Sequence, residues 1–212
     1  MSAFSAILAV FLHLDVLLPH FFAAYGSGIY VLLFAVIFAE TGFIFTPFLP
    51  GDSLLFAAGA LCASSGLQVG WLWLFLVIAA FLGDALNYRV GAVFGEQLSS
   101  HKWVNPTHLA KAHAYFERYG GKAIILGRFL PIIRTFVPFV CGVTQMSYRR
   151  FMAYNLIGGL LWVTGFLFAG YWFGQLSWVK MHFSGFILGI MVVSFLPMVF
   201  DALRWGFNRS AR

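Results

Sequence analysis

Hydrophobic residues run along this chain in blocks of bilayer length, and the informative positions are those where a block is broken. Three blocks are unbroken, roughly Trp71–Phe94, Phe151–Phe173 and Phe183–Trp205. Each meets the roughly 20 apolar residues a spanning helix needs. Two others are interrupted at their centres. The run from Phe21 to Ala63 contains Glu40-Thr41-Gly42 and then Pro47-Phe48-Leu49-Pro50-Gly51-Asp52; the run from Ala123 to Met146 contains Arg128-Phe129-Leu130-Pro131-Ile132-Ile133-Arg134. Charge is costly inside a membrane, and proline removes a backbone donor and disturbs the preceding turn. One break is acidic and the other basic, the pattern expected of a transport site.

Only one stretch, Gly95–Lys122, is polar. Asn105-Pro106-Thr107 predicts a helix start there, with apolar residues Leu109, Ala112, Tyr115 (or Phe116) and Tyr119 at helical spacing opposite Lys111 and Arg118. Gly120-Gly121 is expected to end it. A helix lying on the membrane surface and a surface helix packed on other protein both fit. The first apolar stretch, Ala3 to Leu18, carries His13 and Asp15 and lacks a basic flank. It reads as a short retained helix, spanning at a tilt or lying at the interface, rather than a signal peptide.

Composition fixes the class. The chain is 61% hydrophobic and 9% charged, against about a quarter charged in soluble domains, so it belongs in a membrane. The net charge of +6 does not point to nucleic acid, because the basic residues flank apolar blocks instead of clustering on a polar domain. Lys102, Lys111, Arg118, Lys122, Arg149, Arg150, Arg204, Arg209 and Arg212 all fall on one side if both interrupted runs are re-entrant. A single crossing over 123–146 would put Arg149-Arg150 outside. The expected fold is therefore an all-α polytopic membrane protein forming a single membrane domain over 1–212. Two oppositely oriented re-entrant helical hairpins, 29–65 and 123–146, form an inverted repeat. Spanning helices, two of them over 151–205, and one amphipathic cytoplasmic segment over 95–122 complete it. Phe48-Leu49-Pro50 and Phe129-Leu130-Pro131 are identical triplets in the two hairpins.

The candidate chemistry lies in the breaks. Glu40, Asp52, Arg128 and Arg134 would each cost about 2.5–3.5 kcal/mol if buried singly at mid-bilayer. A domain stable by about 5–15 kcal/mol cannot hold four such groups unpaired. One reading is two buried salt bridges that only fasten hairpin to hairpin. The other is functional: Arg128 and Arg134 form a phosphate-sized cationic site for a headgroup, and Glu40 and Asp52 act in proton coupling or gating by competing for the arginines. Asp84, Asn87, Tyr88 and Gly91 share one helix face, as do Asn155, Gly158, Gly159 and Trp162. Packing is the first expectation for the glycines and for Asn87 and Asn155. Asp84, Asn87, Tyr88 and Asn155 are taken as supporting positions. Cys62 and Cys141 read as small packed residues. The six scattered histidines carry no ligand spacing, so no metal or other cofactor is expected. There is no hydrolase or P-loop motif, and no enzyme activity is expected.

Taken together, Glu40-Thr41-Gly42, Pro47 to Leu55, Gly83-Asp84-Ala85-Leu86-Asn87-Tyr88, Arg128 to Thr135, and Ser147-Tyr148-Arg149-Arg150-Phe151 with Tyr154-Asn155 resemble the DedA family of bacterial inner-membrane proteins. This family is also called SNARE-associated or VTT-domain, and the likeness is to its DedA subgroup. The resemblance implies two opposed re-entrant hairpins, a bacterial inner-membrane location, and a role in lipid traffic and envelope homeostasis. Independently of it, the basic tail Arg204, Arg209, Arg212 places the C-terminus on the cytoplasmic side. The family's acids match Glu40 and Asp52, and its arginines match Arg128 and Arg134. The expected activity is a flippase for an anionic lipid, a polyprenyl phosphate such as undecaprenyl phosphate or a phospholipid, with proton coupling. A proton-coupled carrier of a small solute or oxyanion and a non-transporting membrane organiser remain alternatives. The partner is membrane lipid, with no nucleic acid; homo-oligomerisation is left open.

Overall fold

The computed structural model describes residues 13–43, 51–99, 120–190 and 192–193. Every regular element among them is helical. In chain order these are α1 (Leu14–Tyr25), α2 (Gly28–Gly42), α3 (Gly51–Ser65), α4 (Val69–Ser99), α5 (residues 120–127), α6 (Pro131–Val143), α7 (Tyr148–Phe173), α8 (Ser177–Met181) and α9 (residues 183–190). The surface helix expected around 105–119, the Pro47–Pro50 turn and the last span beyond 193 lie outside the described residues.

α4 and α7 are the long apolar helices, with mean hydropathy of 2.0 over Val69–Gly95 and 1.6 over Tyr148–Phe173. At 31 residues α4 is roughly 46 Å long, more than the hydrocarbon thickness of a bilayer. The sides of α4 differ in the sense a membrane demands. Trp71, Leu74, Phe75, Ile78, Leu82, Leu86, Val90, Val93 and Phe94 are exposed at helical spacing. Asp84, Asn87, Tyr88 and Gly91 are buried. An outer face of large apolar side chains over an interior holding the polar ones inverts the soluble pattern.

The arms of each broken segment pack on different long helices. α2 and α6 lie mainly against α4, while α3 lies against α7. The same crossing is built twice. A Cβ at Gly59 of α3 would strike the Leu167 carbonyl, and one at Gly170 of α7 would strike the Phe56 carbonyl. In the second copy Gly142 of α6 meets the Tyr88 carbonyl, and Gly91 of α4 meets that of Phe139. Phe56-x-x-Gly59 and Phe139-x-x-Gly142 are thus equivalent in contact as well as spacing. Absent side chains let backbone approach backbone, which is how helices associate tightly where burial of oil gives no advantage.

Most of the first apolar stretch, residues 3–12, lies outside the described residues. The helix α1 runs from Leu14 through Pro19 to Tyr25, past the expected limit at Leu18, and stops where Gly26 takes a positive φ of 52°. Gly120 and Gly121, expected to end a helix, are themselves helical in α5, and a Cβ at Gly121 would meet the Tyr154 ring. A short helix, α8, also precedes the last apolar block and was not foreseen from hydropathy.

Candidate functional site

The acidic break brings its two carboxylates to one point from opposite sides. Glu40 lies in the last turn of α2, and its Oε1 accepts the backbone N–H of Gly51 at 3.0 Å, so it caps the start of α3. Gly51 has to lack a side chain, since a Cβ would run into that carboxylate. Asp52 follows in the first turn of α3. In the basic break, residues 128–130 form the turn between α5 and α6, Pro131 opens α6, and Arg134 occupies its first turn. A cation near a helix N-terminus is disfavoured by the helix dipole, so Arg134 needs acidic partners.

It has two. Arg134 Nη1 donates to Asp52 Oδ1 at 3.0 Å and Nη2 pairs with Glu40 Oε1. Arg128 turns to another element: its Nη2 pairs with Asp84 Oδ2 of α4 and donates to Asn155 Oδ1 of α7. Gly158 and Gly159 leave room for this guanidinium against α7. Asn155 Nδ2 in turn donates to the Phe81 carbonyl at 3.1 Å, locking α7 to α4. All five charged groups are buried, none exposed by more than 4%.

Glu40 and Asp52 therefore do not divide the two arginines between them, as a competition for both would require. Both engage Arg134, because the ends of α2 and α3 meet there, and Asp84 takes Arg128. Counting Asp84, the cluster holds three carboxylates against two guanidiniums. Full neutralisation by two acids is replaced by an excess of one negative charge when all are ionised.

Of the other expected positions, Asn87 joins the cluster as scaffold. Its Nδ2 donates to the carbonyls of Thr135 at 2.7 Å and Thr41 at 3.3 Å, tying the end of α2 to the start of α6. Tyr88 does not join. Its hydroxyl donates to the Met146 carbonyl, and its ring stacks on Phe151 in a separate apolar cluster. Trp162 was legible only as part of a packing stripe, yet it touches both halves of the site. Its indole N–H donates to Asp52 Oδ1 at 2.7 Å, and its ring lies 4.7 Å from the Arg134 guanidinium carbon and 5.9 Å from that of Arg128.

A helical bundle with an apolar exterior and five charged side chains buried among its helices defines an integral membrane protein. The VTT domain profile matches residues 49–172, which include four of the five charged residues, and the chain belongs to this VTT-domain (DedA) family. It is 50% identical over 198 residues to protein DedA of Escherichia coli K12, covering 91% of this chain and 90% of that one. It is 39% identical over 185 residues to an uncharacterised membrane protein of Mycobacterium tuberculosis H37Rv, covering 85% and 81%. With the inner membrane protein YghB of Escherichia coli K12 it shares 34% identity over 170 residues, 79% of this chain and 78% of the relative. No solved structure matches it.

Proposed function

We propose that this protein is a translocase of the bacterial inner membrane that carries an anionic lipid, a polyprenyl phosphate such as undecaprenyl phosphate or a phospholipid, from one leaflet to the other. In this reading α2–α3 and α5–α6 are re-entrant hairpins from opposite faces, related as an inverted repeat, with the C-terminus cytoplasmic. The glycine crossing made twice, and the meeting of α2 and α3 at Glu40 and Gly51, support that arrangement.

The observation that carries the headgroup assignment is Arg128. It is buried, yet its Nε and Nη1 have no hydrogen-bond partner among the described residues. Buried guanidinium donors left unmet are costly, and phosphate oxygens are strong acceptors that would satisfy them. Arg134 completes the site once Glu40 or Asp52 releases it. The excess carboxylate supplies the coupling: a neutral cluster holds one proton, and an arriving phosphate changes which acid is needed. Lipid retained by the protein through mild purification, identified by mass spectrometry, tests the substrate class. Enrichment of a lipid phosphate over the bulk membrane supports the reading; a lipid-free protein whose transport is blocked by millimolar inorganic phosphate would favour an oxyanion carrier.

One observation favours a second reading. Arg134 alone joins α2, α3 and α6, as a purely structural fastener would. Exchanging Arg134 with Asp52, sign for sign, retains function in a membrane organiser and abolishes it in a headgroup site.

A further inference from the structure

We propose that Trp162 is the positioning residue of this site, the group that lets Arg134 leave its carboxylates without being stranded in the membrane; this rests on the headgroup reading above. Two contacts define the role. The indole N–H donates to Asp52 Oδ1, the same oxygen that receives Arg134 Nη1. The indole ring carries the Arg134 guanidinium at 4.7 Å, within cation–π range.

The first contact divides the charge of Asp52 between two donors, so the carboxylate holds Arg134 less firmly than it would alone. The second gives Arg134 a partner that is not an acid. A guanidinium moving from carboxylate to phosphate would otherwise pass through an unpaired state in a buried place, and that state is the expensive one. Contact with the ring persists while the hydrogen-bond partners change. Arg134 Nε, which has no partner among the described residues, remains available to the incoming oxygen throughout. Arg128 at 5.9 Å shares the ring, so the aromatic face serves both cations of the site.

A buried tryptophan generally needs a partner for its N–H, and filling space could be its whole purpose. The two purposes separate in a double-mutant cycle. The probe is a fluorescent farnesyl phosphate titrated at pH 8 against the full chain in phosphatidylcholine nanodiscs, a bilayer with no competing anionic lipid. Trp162→Phe keeps a ring and loses the donor; it weakens binding about tenfold, because Asp52 then holds Arg134 harder. Asp52→Ala tightens binding, and adding Trp162→Phe to it changes affinity by less than about twofold. Trp162→Leu loses the ring as well as the donor: it weakens binding about tenfold in the Asp52→Ala background, where only the ring matters, and more than Trp162→Phe does when Asp52 is present. Should it not fold, the Trp162→Phe cycle decides. An equal effect of Trp162→Phe with and without Asp52, or no effect at all while Arg134→Ala abolishes binding, overturns the role of Trp162 alone. Undiminished binding by Arg134→Ala overturns the headgroup reading and the role of Trp162 with it.

Discussion

Asp84 on α4 and Arg128 in the turn between α5 and α6 form an ion pair in which each side chain is only 2% exposed. They are 44 residues apart in sequence, and their union ties a spanning helix to the basic break. Removing one partner leaves the other charge buried and uncompensated. Asp84→Ala should therefore cost about 3–5 kcal/mol, whereas Asp84→Leu combined with Arg128→Leu should cost far less. Unfolding of the purified variants in detergent checks this; a double variant as unstable as the single one would show that the pair is not what the interior needs.

The excess carboxylate predicts a separation of transport from its proton dependence. Glu40→Gln leaves two acids facing two arginines, a cluster neutral without a bound proton. The variant should fold with stability within about 1 kcal/mol of the parent, since a neutral amide still accepts from Gly51 and Arg134. Its lipid transport in proteoliposomes should no longer respond to an imposed pH gradient. Retained response would remove Glu40 from the coupling.

The twice-made glycine crossing makes a paired stability prediction. Gly59→Val and Gly142→Val each push a side chain into the backbone of a facing helix, and each should destabilise by about 1–3 kcal/mol or more. Gly165→Ala on α7, where nothing lies within 4 Å of the new Cβ, should change stability by less than about 1 kcal/mol. Parallel thermal unfolding of the three variants compares them directly.

In the proposed arrangement of opposed re-entrant hairpins, the exposed ends of the α2–α3 unit fall on one side. In a background of Cys62→Ala and Cys141→Ala, both buried in the native protein, Tyr25→Cys and Gln68→Cys should label with an impermeant maleimide from the periplasmic face alone. Labelling from opposite faces would make α2–α3 a crossing.

Much of this was legible because membranes make unusual demands on sequence. Unbroken apolar length marked α4 and α7, and charge placed where oil should be marked Glu40, Asp52, Arg128 and Arg134. Helical spacing put Asp84 and Asn87 on one buried face. Pairing was not legible. Which acid meets Arg128 depends on how α4 passes the α5–α6 turn, and no local pattern encodes that crossing. Asp84 sits in an intact helix, where the sequence marks it only as a supporting position, yet it supplies the partner of Arg128. Trp162 stayed hidden because a tryptophan among glycines on a helix stripe is ordinary packing by its pattern. A hydrogen bond to a carboxylate 110 residues away becomes visible only after folding. Tyr88 shares its helix face with Asp84, but one further turn of α4 carries it into a different cluster.

The central claim is that the buried arginines carry an anionic headgroup. Its most direct test is lipid translocation in proteoliposomes, read as protection of a labelled prenyl phosphate from a membrane-impermeant reductant. The wild-type protein should move the label, and Arg128→Ala and Arg134→Ala, each shown to be folded and inserted, should slow it at least tenfold. Translocation at the wild-type rate in both variants would contradict the account.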